Sequence, residues 1–263
     1  MSASVAIRAS SLGELVDCPA RWEAKHLLGR RAPKSGAAHL GTAVHAGTAH
    51  FDRARLEGAP VSADEAAGTL IDTLFHPEEA VDWEDSSPRK AEPVALALHA
   101  RYCADLAPTR RYRGVELACE ALALPELGLV LTGTTDRIRE LPDGRLGVSD
   151  LKTGARAVGA DGRAETRGHA LQLGVYELLA EHAMGLPIRA PAEVIGMKTQ
   201  GRPIVASAEI EDARTPLVGT PERPGLLALV ARLIHQGLFY GNPRSLLCAA
   251  RFCPIHAECS FRR

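Results

Sequence analysis

The sequence predicts an α/β fold: a central mixed sheet flanked by helices, an N-terminal helical lobe, and a C-terminal cysteine clasp. Three observations predict it. Apolar residues follow a helical period up to about residue 107, then a strand period from residue 112, with helices and strands alternating after that. A Pro-Asp-Gly triplet at 142–144 joins two strand-like runs. Cys248, Cys253 and Cys259 crowd into twelve residues near the C-terminus, with Cys18 near the other end.

The elements follow in order. Ser10 or Ser11 can cap a helix through "LGELVDCPARWEAKHLLG", with Gly29 as its stop. "GAAHLGTAVHAGTAHFDRARLEG" is a second helix, whose small residues allow close packing. "SADEAAGTLIDTLF" has an acidic first turn and reads as a third, and "EPVALALHARYCADL" as a fourth, ended by Pro108. "GVELACEALAL", "LGLVLTGTTDRIREL" and "GRLGVSDLK" are strands. An amphipathic helix, "GHALQLGVYELLAEHAMG", two more strands, "AEVIGMKT" and "PIVASAEIE", and a helix, "PGLLALVARLIHQGLFYG", complete the chain before the cysteine tail.

With 263 residues, 46% of them hydrophobic, the chain can bury a full core. We read residues 1–263 as one domain: a helical lobe at 10–107, an α/β core at 112–212, and a final helix with the cysteine tail at 222–263. A net charge of −1 excludes a global basic field, so any nucleic-acid contact must come from local clusters. Arg30, Arg31 and Lys34 form one such cluster, and Arg110, Arg111 and Arg113 another. No run reaches the roughly 18 apolar residues of a membrane helix, and "MSASVAIRAS" lacks the apolar stretch of a signal peptide. A soluble, cytoplasmic protein with no membrane contact is expected, and no repeats are seen.

The chemistry centres on "GVSDLKTG" at 147–154. Asp150 and Lys152, two apart where a strand ends, share a face. If Leu141 pairs with Arg145 across the turn, Asp136 falls opposite Asp150 on the neighbouring antiparallel strand. Two facing carboxylates are destabilising unless a hard divalent cation supplies the missing positive charge. Lys152 can then address whatever that cation holds. Glu116 and Glu120 share a face of the preceding strand and could approach the cation, but a solvated strand face is the favoured reading.

"GTTDRI", a hairpin and "VSDLKTG" together resemble the core of the PD-(D/E)XK nuclease superfamily, and most closely its RecB-like exonuclease branch. "LGTAVHAG" resembles that branch's G-x-x-x-H motif and marks His45. "LQLGVY" resembles its Q-x-x-x-Y motif and marks Gln172 and Tyr176, which lie i, i+4 on one helix. The resemblance runs from about residue 10 to the C-terminus, with its four motifs in order. It implies a restriction-endonuclease-like fold in which His45, Asp136, Asp150 and the Leu151 carbonyl bind metal. Lys152 is implied as the fourth functional residue, with Gln172 and Tyr176 acting near the metal or the DNA strand. Carboxylate oxygens suit Mg²⁺, and an imidazole in the set makes Mn²⁺ a good alternative. Arg167 and His169, just before that helix, are further candidates to meet phosphate. His26, His39, His50, His76, His99, His182 and His235 read as structural or solvated.

The cysteines extend the resemblance. Cys18 in "DCPARW" and the triplet in "CAARFCPIHAEC" look like the one-plus-three set that holds an iron–sulfur cluster in some CRISPR-associated and phage RecB-like nucleases. Four thiolates suit [4Fe–4S], here a structural clasp joining chain segments about 230 residues apart. The x4 first spacing is wider than the commonest x2 pattern. Zinc on three cysteines with His256 or Cys18 is the alternative, while Cys103 and Cys119 read as buried core thiols. The resemblance implies a metal-dependent DNA exonuclease acting on ends or single strands, in recombination, repair, phage DNA processing or CRISPR spacer trimming. The other readings are a non-catalytic DNA-binding or assembly subunit and a restriction-type endonuclease. No G-x-x-x-x-G-K-[ST] motif occurs, so a helicase, recombinase or CRISPR adaptation partner would be a separate chain. A homo-oligomer is compatible with the family.

Overall fold

Residues 4–84 and 86–262 are described by a computed structural model. The chain opens on a short strand that the sequence reading missed, β1 (Val5–Arg8). The first predicted helix is in fact two, α1 (Ala9–Asp17) and α2 (Pro19–His26). Pro19 sits at the first position of α2, and a residue before proline is driven out of the helical region; Cys18 is extended at φ −150°, ψ 91°. The break leaves Cys18 at the joint between two helices. Neither Ser10 nor Ser11 caps. Both lie inside α1, where Ser11 donates to the Arg8 carbonyl and accepts from the Trp22 indole.

The helical lobe follows as α3 (Gly36–Leu56), α4 (Ala63–Phe75) and α5 (Pro88–Arg101). Ser35 caps α3, and Ser62 with Glu65 forms a capping box on α4. α5 starts earlier than predicted, at Pro88, and keeps Pro93 within its first two turns. Then come β2 (Tyr112–Leu124), β3 (Leu129–Glu140), β4 (Leu146–Gly154), α6 (Ala170–Met184), β5 (Ala192–Lys198), β6 (Ile204–Ile210) and α7 (Leu226–His235). α7 is shorter than its apolar run because Gly237, at φ 66°, turns the chain. No helix among the described residues is long and apolar enough to cross a membrane.

These strands form one mixed six-stranded sheet, in which β2 occupies one edge of β3 along its length. β1 and β4 share the other edge: β1 runs parallel along Leu129–Thr132, and β4 antiparallel along Arg137–Glu140. Gly133–Asp136 lie in the interval between them. β4 pairs onward with β5 in parallel, and β5 with β6 antiparallel. The expected hairpin register holds: Leu141 donates to the Arg145 carbonyl, and the ladder continues to Arg137–Ser149. It stops one step short of the two aspartates. There the strands fork, and β4 continues from Asp150 against β5 alone.

Two apolar cores cover the sheet. One gathers Leu12, Leu15 and Trp22 with Leu173, Leu179, Ile138 and Val194; the other joins Val44, Leu70 and Leu98 of the lobe to Leu151, Ile195 and Met197. α6 and α3 therefore pack onto the sheet on either side of the fork.

Candidate active site

At the fork, the Asp136 carboxylate takes the place of a ladder partner: its Oδ2 accepts the Leu151 N–H at 2.7 Å. The same oxygen lies 3.5 Å from His45 Nδ1. Glu116 falls between the pairs Val115–Arg137 and Leu117–Thr135, directly across β2 from Asp136. Its backbone is left-handed at φ 49°, uncommon and costly for a side chain with a Cβ. His45, Glu116 and Asp136 each offer one ligand atom within 4.8 Å of the others, the one group of this kind among the described residues. Burial, and then the nearby Asp136 charge, hold the Glu116 carboxyl above its usual range. An imidazole with two mutually repelling carboxylates fits a divalent cation such as Mn²⁺ or Mg²⁺.

Glu116 is one of two glutamates for which the sequence reading favours solvent over approach to the cation. Its neighbour in that reading, Glu120, is exposed. The signal that separates them is the β2–β3 register, which no strand period reveals.

Asp150 lies outside this triad. Its Oδ2 is 2.5 Å from the Lys152 ammonium, and its Oδ1 accepts from Gln172 Nε2 at 3.3 Å. The pair is not a surface ion pair, because Asp150 is only 2% exposed. Burial raises the Asp150 carboxyl to about 6; Lys152 opposes the rise and Asp136 adds to it. Gln172 is the hinge of this half of the site: its Oε1 accepts from Lys152 at 3.0 Å and its Nε2 donates to the Tyr176 hydroxyl at 3.1 Å. Tyr176 passes over Gly133, where a Cβ would lie 3.0 Å from its ring. His169 enters α6 beside Lys152, and burial followed by that lysine's charge lowers its imidazole to about 4. Arg167 is instead turned to Glu165 on the surface.

A buried network fixes α3 to the fork. Arg137 donates to Asp52 Oδ2 at 2.7 Å, to Thr48 Oγ1 at 3.3 Å, to the Asp136 carbonyl at 2.8 Å and to Glu116 at 3.4 Å. The Tyr102 hydroxyl also donates to Asp52 and contacts that of Tyr112. Asp52 lies two helical turns beyond His45, on the same face of α3. Arg137 therefore sets the height and rotation at which α3 presents His45 to Asp136.

Residues 7–260 match the family model of the PD-(D/E)XK nuclease superfamily. The chain belongs to that superfamily. Its fold agrees with that assignment, being a mixed sheet flanked by helices of the restriction-endonuclease-like kind. Among solved structures, this PD-(D/E)XK chain is similar to a candidate exonuclease from Eubacterium rectale, with TM-score 0.51 and 17% identity over 87% of this chain and 76% of that one. It also aligns with SSO0001 at TM-score 0.43 and 13% identity, over 100% of this chain and 89% of that one. No curated protein matches.

The four predicted cysteines converge as well. Cys18, Cys248, Cys253 and Cys259 line one tight pocket with His256 and Phe261. The walls are cross-linked between the chain's two ends. Asn242 donates its N–H to Cys18 Sγ at 3.4 Å and its side chain to the Asp17 carbonyl; Ser245 donates to Asp17, and Arg30 pairs twice with Glu258. Cys103 is buried, with its thiol pushed up to about 12 by burial, whereas Cys119 is only partly buried, contrary to expectation, because it lies on the edge strand β2.

Proposed function

We propose that this superfamily member is a metal-dependent deoxyribonuclease acting as an exonuclease on DNA ends or single strands. The observation that carries the reading is the meeting at one fork of His45, Glu116 and Asp136 with the Asp150–Lys152–Gln172 array. A divalent cation, once bound, supplies positive charge for the phosphate oxygens and acidifies water. His45, Asp136 and Asp150 would hold it with the Leu151 carbonyl, and Glu116 would join them. Lys152 would orient the attacking water and offset charge growing on the phosphate. Gln172 would hold Lys152 and Asp150 in register, and Tyr176, kept neutral by burial, would position Gln172. A partner that unwinds or delivers DNA suits this reading, and the cytoplasm is the compartment that suits free thiols.

A [4Fe–4S] cluster with a clasping role belongs to the same reading, and the four cysteines around one pocket match its thiolate count.

Purification without oxygen, a visible spectrum with iron and zinc analysis, and digestion of end-labelled DNA with Mg²⁺ or Mn²⁺ test both proposals. Nucleotide release from ends supports the exonuclease; cuts confined to the interior of closed circles would replace it with an endonuclease. A colourless, iron-free protein would remove the cluster.

A further inference from the structure

α3 runs past two clefts. The first, about 660 Å³, holds His45, Glu116 and Arg53. The second, about 490 Å³, opens beside it and is walled by Arg55, Arg110, Arg111, Arg113 and Tyr112, with Asp52 at its base. The same two elements connect them. Arg53 stands two turns beyond His45, roughly 12 Å along the helix, and Arg113 stands three residues, roughly 10 Å, before Glu116 along β2.

The second cleft is built for anions. Arg110 is anchored by Glu193 at 2.7 Å and Ser207 at 3.0 Å, and Arg55 by the Ala107 carbonyl at 2.7 Å. The carboxylates within reach are already shared: Asp52 between Arg137 and Arg55, and Glu193 between Arg110 and Arg139. At the mouth, Arg111 is 77% exposed with one contact to Glu140. Arg113 is exposed and has no carboxylate partner among the described residues. In a chain of net charge −1, this concentration of guanidinium groups is local. Guanidinium forks match phosphate oxygens, and the spacing from the metal cleft corresponds to a few nucleotides of one strand.

We propose that the cleft of Arg55, Arg110, Arg111 and Arg113, reached through Arg53, binds the phosphodiester backbone of the strand whose end lies at His45 and Asp136. The assignment rests on the nuclease reading for the identity of that strand. Binding of a labelled single-stranded oligonucleotide, measured by anisotropy in buffer free of divalent metal over a range of salt, tests it. The Arg111→Ala/Arg113→Ala double variant should show a slope of log affinity against log salt shallower by about 1.4, about 0.7 per lost phosphate contact. Arg53→Ala should lose about 0.7. Arg145→Ala, which removes a charge at the far end of the β3–β4 hairpin, should keep the parental slope. The three variants should melt with the parent, since the altered side chains are exposed. A parental slope in the double variant overturns the assignment even if the parent cuts DNA. A shallower slope supports it even if the parent binds strands without cutting them, in which case only the proposed chemistry falls.

Discussion

The Arg137 guanidinium donates to the Asp52 carboxylate at 2.7 Å, and both side chains are fully buried. This pair joins the helix that carries His45 to the strand that carries Asp136. Two charges taken out of water are costly, and breaking such a pair costs more than replacing it whole. Burial in fact raises the Asp52 carboxyl above its usual range, with Arg137 opposing the rise. Arg137→Ala should destabilise by about 3–5 kcal/mol. The double change Arg137→Met/Asp52→Leu should lose less than the two singles together, as read from urea midpoints.

Metal affinity should depend on Glu116, which the fold brings beside His45 and Asp136. Glu116→Gln keeps the shape and removes the charge facing Asp136. Mn²⁺ binding, followed by the loss of the free-ion resonance signal, should weaken about tenfold. Glu120→Gln should leave it unchanged, and equal effects at both positions would return Glu116 to the solvated face.

Cleavage should depend on Lys152 far more than stability does. Lys152→Ala should slow release from end-labelled DNA by about 10²–10⁴-fold, and Asp150→Asn should do at least as much. Gln172→Ala frees Lys152 and Asp150 from their shared partner and should fall between these variants and the parent.

Helix α6 is held close to the chain at Ala213–Leu217. A Cβ on Gly174 would lie 2.2 Å from the Ala213 carbonyl oxygen and 2.6 Å from Leu217. Gly174→Ala should therefore cost about 1–3 kcal/mol. Because Gln172 and Tyr176 flank that position, cleavage should fall in the same variant, whereas the exposed Gly144→Asn should spare it.

Stability should fall as pH rises between about 4.5 and 7 through one buried acid. Burial raises the Glu177 carboxyl to about 7, with Arg214 opposing the rise. Across that window the folded chain holds a proton that the unfolded chain has released, so raising pH favours unfolding. Glu177→Gln should remove this slope and gain about 1–3 kcal/mol at pH 8, measured by denaturation at pH 5 and pH 8.

Much of the fold was legible because period and turn chemistry are local. The α3, α4, β3, β4 and α6 segments lie within a few residues of their predicted bounds, and the Pro-Asp-Gly turn gave the hairpin register. The single helix expected across Cys18 failed for a reason also present in the sequence, Pro19, which was outweighed by the apolar run on both sides. β1 was missed because four residues carry little periodic signal, and its place is set by its partner Leu129–Thr132.

The sequence by itself determined that Asp136 and Asp150 sit at strand positions in register, with Lys152 two residues on. His45, Gln172, Tyr176 and the four cysteines that line one pocket came through the family resemblance of their motifs. Only the tertiary structure decided that the ladder ends just before the aspartates, that Glu116 turns inward at a left-handed residue, and that Arg137 ties α3 to the site. Strand period fixes the face of a side chain. Where neighbouring strands separate, and which distant carboxylate comes beside His45 and Asp136, depend on packing between segments far apart in the chain.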